Sequence, residues 1–204
     1  LSEFAIFIEG GGNSRREQAP LRLGFQRLFE PVLSAARDRR IRHRVIVCGG
    51  RSETIKLFLN ELRLQPQVTC FLLVDSEEIP GAGVSAPDHL SVRDDERLRH
   101  IDAGQIGMMI AVMETWICSD HSTLLTYFGK GFNINVMPAQ PNLEAVSKKE
   151  ICDSLSRATK DSQEGQYHKQ KHGPELIGSI DREILRTKCP GFGKFLDDLR
   201  RSFQ

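Results

Sequence analysis

The chain has 204 residues, 39% of them hydrophobic and 27% charged, with a formal net charge of +1. That size and balance fit one substantial globular domain, or a domain with an added lobe. The chain contains no run of about 18 apolar residues, which excludes a transmembrane helix. Glu3 and Glu9 interrupt the first apolar stretch, so no secretory signal is read there. The five cysteines (Cys48, Cys70, Cys118, Cys152 and Cys189) are odd in number and widely spaced. Without a CxxC or a Cys/His cluster, a zinc ribbon is excluded. Small core residues in a reducing cytoplasm are expected instead.

In chain order, Phe4 to Ile8 reads as a short buried strand ended by Gly10-Gly11-Gly12. Leu21, Phe25, Leu28, Phe29, Val32, Leu33 and Ala36 recur at helical spacing, in a helix that Pro31 kinks near Glu30. His43 to Cys48 is a second strand, stopped by Gly49-Gly50. A helix capped by Ser52 follows, with Ile55, Phe58, Leu59 and Leu62 on one face. Val68 to Val74 is continuously apolar and reads as a central third strand. Residues 79–104 are expected to be an acidic loop. Ile106, Met109, Ile110, Met113 and Ile117 then mark an amphipathic helix. Residues 129–147 read as irregular. Helices are expected near 148–160, 174–186 and 191–203, the last with Phe192, Phe195, Leu196, Leu199 and Phe203 on its apolar face. The pattern predicts an α/β domain over residues 1–128, with a mostly parallel, Rossmann-like sheet flanked by helices. Residues 129–204 are expected to form a helical elaboration packed on it.

The charge is unevenly spread. Residues 1–60 carry eleven Lys/Arg against six Asp/Glu, residues 61–120 four against eleven, and residues 121–204 thirteen against ten. An acidic middle between basic flanks fits a metal site beside a phosphate-binding surface, and chance clustering fits it as well. In a parallel sheet all strand C-termini lie on one edge, where ligands bind. Glu9 ends the first strand, Asp75 the third, and Glu77 lies two residues on. Residues i and i+2 of an extended segment point the same way, so Asp75 and Glu77 can face one ion. Oxygen ligands of this kind suit Mg2+ or Mn2+. Gly10 and Gly11 let a phosphate approach the main chain, while the metal keeps that phosphate compatible with Glu9. A P-loop is missing, and Arg15 occupies the place of the third glycine of a dinucleotide fingerprint.

The segments IFIEGGG (6–12) and LLVDSEE (72–78) resemble the TOPRIM domain of topoisomerases, bacterial primases and OLD-type nucleases. More closely, the chain resembles a bacterial family of TOPRIM-like proteins often encoded beside an ABC-type ATPase in defence-type gene neighbourhoods. That likeness runs nearly end to end. It includes IFIEGGGNSR, VCGGR (47–51), LLVDSEE, VMETWICSD (112–120) and QYHKQKHG (166–173). Many TOPRIM domains have Asp where this chain has Glu77. The resemblance implies Mg2+-dependent chemistry on phosphodiesters, with Glu9 as general acid/base or metal ligand and Asp75 and Glu77 as metal ligands.

Other groups are candidates around this centre. Glu114 and Asp120 flank Trp116 and are candidate ligands of a second metal; an ordinary surface acid is the plainer reading of Glu114. QYHKQKHG reads as a loop, with Lys169 as a phosphate or leaving-group contact and His168 or His172 as a proton donor. Arg51, after Gly49-Gly50, is a candidate phosphate contact. Arg15, Arg16 and the five arginines of RDRRIRHR (37–44) are further candidates, or else solvated helix ends. The function expected is a metal-dependent nuclease, the effector of an anti-phage defence pair, acting on DNA or RNA with an ABC-type ATPase partner. The alternatives are a non-catalytic TOPRIM-like module that binds an ATPase or nucleic acid, and a small-molecule phosphatase.

Overall fold

The computed structural model describes residues 3–202 apart from residue 13. Strands β1 (Glu3–Ile8), β2 (Arg42–Val47), β3 (Val68–Asp75) and β4 (Ile106–Met109) form one sheet of order β2-β1-β3-β4. Every pairing is parallel. Helices flank the sheet, so the fold is α/β and Rossmann-like, as the strand and helix pattern leads one to expect.

Strand alternation divides the core in two. Phe4, Ile6 and Ile8 of β1, with Phe71 and Leu73 of β3, face one side. There they meet α1 (Arg15–Leu28), α2 (Glu30–Asp38) and α10 (Pro190–Arg201). Ala5 and Phe7, with Cys70, Leu72 and Val74, face the other side. That side is covered by α3 (Arg51–Leu64) and α4 (Ala86–Arg93). The remaining helices are α5 (Met113–Ile117), α6 (His121–Phe128), α7 (Lys148–Thr159), α8 (Lys169–Ser179) and α9 (Arg182–Lys188). The C-terminal helices share the first core with the sheet. Phe195 of α10 lies 6.0 Å from the ring of Phe29 and 6.2 Å from that of Phe71.

Several boundaries differ from the sequence reading. The kinked helix is two helices that part at Phe29, with Pro31 in the first turn of α2. Ile106–Met109 is a parallel strand, and helix begins only at Met113. A short apolar run does not declare its period, and here packing decides. Gly107 lets Phe195 lie against the strand, where an added Cβ would stand 2.4 Å from the ring. The acidic segment contains α4, capped by Ser85 and started by Pro87. QYHKQKHG is a loop only to His168. From Lys169 it is α8, which runs through Gly173 and Pro174. The helix expected near 174–186 is split by the Asp181 cap that starts α9. Phe203 lies outside the described residues. Cys48, Cys70, Cys118 and Cys189 are buried, Cys152 is half-buried, and all five are free thiols. Burial pushes Cys48 and Cys70 up to about 11, so neither serves as a ready thiolate. Among the described residues no helix is long and apolar enough to cross a membrane.

Candidate metal centre

The chain runs from β1 outward to β2, then returns past β1 to place β3 on its other side. The C-terminal ends of β1 and β3 therefore flank a topological switch point, the crevice where open α/β sheets bind ligands. Glu9 and Asp75 stand at those two ends. The Glu9 N–H donates to the Leu73 carbonyl at 3.0 Å, and its carboxylate accepts the Asp75 N–H at 3.1 Å. Glu9, Asp75 and Glu77 each offer a carboxylate oxygen, and these three atoms lie within 4.8 Å of one another.

Glu77 reaches the cluster differently from the sequence expectation. It is not extended but left-handed, with φ 68°. Its N–H donates to Ala111, also left-handed at φ 62°, at 2.9 Å. Ser76 braces the turn: its N–H donates to Met109, its hydroxyl to Glu78, and the Ala111 N–H donates to that hydroxyl at 2.7 Å. Two non-glycine residues with positive φ side by side store backbone strain, a feature that concentrates at functional sites.

Burial and like charge set the electrostatics. Asp75 is 5% exposed, and its Oδ1 has no hydrogen-bond partner. Burial, reinforced by Glu9, Glu114 and Glu77, pushes its carboxyl up to about 7 against the pull of Lys169. Burial also raises Glu9, opposed by Arg51. Glu77 is held below the ordinary range, because Lys148, Arg51 and Arg93 outweigh its burial. Lys169, about half exposed, stands 3.4 Å from Asp75 Oδ2 and 3.3 Å from Glu114 Oε2. Burial alone would lower its ammonium, but the two carboxylates hold it above the usual lysine range.

The structure assigns several candidates different neighbours. Glu114 is buried beside the centre but outside the triad. Its Oε1 accepts the Tyr167 hydroxyl at 3.1 Å, and its Oε2 faces Lys169. Its two oxygens are thus turned to Lys169 and Tyr167 and not to the shared position of the three acids. Arg51 heads α3 and is tied to the acids themselves. Its guanidinium lies 3.5 Å from Glu9, 3.6 Å from Glu77 and 3.2 Å from Asp94, and it donates to the Asp75 carbonyl. His172 is 1% exposed, and its ring packs against Tyr127, Phe128 and Tyr167. An enclosed ring of this kind offers no contact to a substrate, so the proton-donor expectation for His172 is withdrawn. His168 is exposed at the start of α8 and donates its N–H to His172 Nδ1 at 3.0 Å. Asp120 caps α6, and Trp116 is core against Phe192. Arg37 lies in the last turn of α2, and Arg42 and Arg44 lie in the first half of β2, where Arg44 is level with Ala5, about 13 Å of strand before Glu9.

Gly10 and Gly11 have φ 124° and 81°, and Gly10 pairs with Gly49 through N–H to carbonyl bonds of 2.7 and 2.9 Å. The two glycine turns lie side by side and border a cleft of about 510 Å3, which Lys169 also lines.

The family model described as "Domain of unknown function (DUF4276)" matches residues 25–200. The chain belongs to the DUF4276 family. Asp75, Glu77, Glu114 and Lys169 fall inside the matched segment of this DUF4276 chain, and Glu9 precedes it. No curated protein and no solved structure matches the chain.

A metal fits these residues on three counts. All three donors are carboxylates, the set that hard divalent ions prefer. The bare Asp75 Oδ1 is an unmet acceptor inside the cluster. Five carboxylates (Glu9, Asp75, Glu77, Asp94 and Glu114) meet three cations (Arg51, Lys148 and Lys169), which leaves the charge of one divalent ion when all are ionised. Asp94 and Lys148 do not stand out in the sequence, and Tyr167 stands out there only as part of QYHKQKHG, without a role. Asp94 and Lys148 sit in charged stretches without periodicity, and only the turns around them bring them to the edge.

Proposed function

We propose that this chain is a metal-dependent nuclease that hydrolyses phosphodiesters of nucleic acid. The observation that carries the reading is the convergence of Glu9, Asp75 and Glu77 at the switch point of the sheet, within 4.8 Å of one another. Mg2+ or Mn2+ is the ion this donor set suits. Bound there, such an ion supplies an activated water and neutralises charge on the phosphate. The chain's own residues do the rest. Asp75 and Glu77 would hold the ion, with the Glu9 carboxylate beside it. Glu9, raised by burial, is placed to accept a proton from the attacking water. Lys169 keeps its ammonium between Asp75 and Glu114, where it can meet a non-bridging or leaving oxygen of the phosphate. The glycine turns let the phosphate come close to the main chain. TOPRIM-like identity, a role in anti-phage defence and an ABC-type ATPase partner rest on the sequence resemblance alone.

One observation favours a second reading. The Arg51 guanidinium already sits among Glu9, Glu77 and Asp94, as a counter-ion would. A non-catalytic module that binds an ATPase or nucleic acid needs no metal, and such internal neutralisation would suit it. The two readings part on Mn2+-dependent cleavage by the purified wild type, which the non-catalytic module lacks, and on its dependence on Glu9. Glu9→Gln is expected to lower Mn2+-dependent cleavage by at least about a hundredfold in purified protein. Cleavage at the wild-type rate contradicts the nuclease reading.

A further inference from the structure

The apolar part of the cleft beside the acid centre has no role in the chemistry above. It opens between the first two turns of α1 and of α8. Glu17, Pro20 and Leu21 line it from α1, Gln170 and Pro174 from α8, with Met113 between them and the two glycine turns along its edge. Its width is fixed. Farther along the same helices the backbones touch: a Cβ on Gly24 would stand 2.2 Å from the Pro174 carbonyl oxygen, and one on Gly178 3.2 Å from the Gly24 Cα. The cleft is therefore built into the helix pair and does not need a ligand to form it.

Its chemistry is that of an apolar cleft with a polar rim. Pro20, Leu21, Met113 and Pro174 give apolar walls. The Gln170 carboxamide, a donor and an acceptor together, has no side-chain hydrogen bond among the described residues. The volume of about 510 Å3 falls in the class of pockets that bury one small-molecule-sized group, about 300–1,000 Å3. Lys169 belongs to both places, lining the cleft while it touches Asp75. A group held at Lys169 therefore has the acid centre on one side and the apolar slot on the other. A phosphate with its attached nucleoside has that bipartite shape.

From this we infer that the cleft takes the base of the nucleotide adjoining the scissile phosphate, so that the substrate presents an unpaired nucleotide there. A base reaches such a slot only after leaving the stack, in a single strand, at a frayed end or by flipping. The inference rests on the phosphodiester reading of the acid centre and specifies its substrate.

The test is calorimetric titration of the four nucleoside 5′-monophosphates and of ribose 5-phosphate, in EDTA and in Mn2+. The proteins are the wild type, Gln170→Trp and Pro20→Trp. Both positions are exposed and lie on opposite walls, so each variant fills the cleft without touching the core. At least one nucleotide is expected to bind the wild type about tenfold or more tightly than ribose 5-phosphate, about 1.4 kcal/mol. Both variants are expected to lose that margin and keep their affinity for ribose 5-phosphate. Equal affinities in the wild type, no nucleotide binding, or a margin that survives in both variants overturns the inference. Failure of the metal reading looks different: Mn2+ does not bind, while the base preference in EDTA persists.

Discussion

Asp75 and Asp120 are both buried aspartates at the ends of secondary-structure elements, and they behave in opposite ways. Asp120 accepts from the Ser122 and Thr123 N–H groups and hydroxyls and from the Asp181 N–H, at 2.6 to 3.1 Å. Burial alone would raise it, but these bonds hold its carboxyl down at about 2. Asp75 has a single cation on Oδ2, nothing on Oδ1 and three other carboxylates around it, and it rises to about 7. One carboxylate is fully occupied with tying α6 to α9. The other is left short of positive charge beside Lys169, which lines the neighbouring cleft. Burial by itself does not separate structure from function; the inventory of partners does.

The first way to sharpen the contrast is to remove the well-satisfied acid. Asp120→Ala strands several donors and is expected to destabilise the fold by about 2–4 kcal/mol, read as a lower urea midpoint. It should leave Mn2+ binding unchanged, since Asp120 is outside the triad. Asp75→Asn should do the reverse in metal-free buffer. The folded-state value of Asp75 lies above the ordinary carboxylate value near 4. The folded chain therefore keeps a proton that the unfolded chain gives up, and stability from this group falls as pH rises from about 4 to about 7. Removing that titration is expected to raise stability near pH 8 by about 1–3 kcal/mol in EDTA. An Asp75→Asn protein less stable than wild type under those conditions breaks the contrast. The smallest effect is on pH dependence. A divalent ion competes with the Asp75 proton, so Mn2+ affinity should fall by about tenfold for each pH unit below about 7 and level off above it. A flat profile from about pH 5 to 8 would show that Asp75 is not a ligand.

The edge of the sheet was legible in the sequence because its signals are local. Continuous apolar runs ending in Glu9 and Asp75, each beside a turn, give both the strand and the end of the strand. The parallel order then puts the acids together. The geometry of Glu77 was not legible, because its left-handed φ depends on Ser76 and Ala111 bracing each other across the turn. Strand β4 was hidden for another reason. Its apolar run suits helix or strand equally, and only Phe195, nearly ninety positions later, settles which. Similarly, Gly173 and Pro174 read as breakers, yet α8 carries them through. Gly173 sits where a side chain would meet Met113 at 3.1 Å and Tyr167 at 3.3 Å, so its small size serves the packing. That helix is what brings Lys169 to Asp75. Glu9, Asp75, Glu77 and Glu114 could be proposed from the sequence, and Arg51 and Lys169 as phosphate contacts, whereas Asp94, Lys148 and the ion pairs that balance the acids depend on tertiary contacts.

On the proposed reading, the bare Asp75 Oδ1 is the place a divalent ion would fill. The most direct test is calorimetric titration of Mn2+ into the purified wild type and into Asp75→Ala near pH 8. Saturable binding to the wild type that disappears in the variant is expected. An absence of binding to the wild type, or equal binding to both proteins, would contradict that reading.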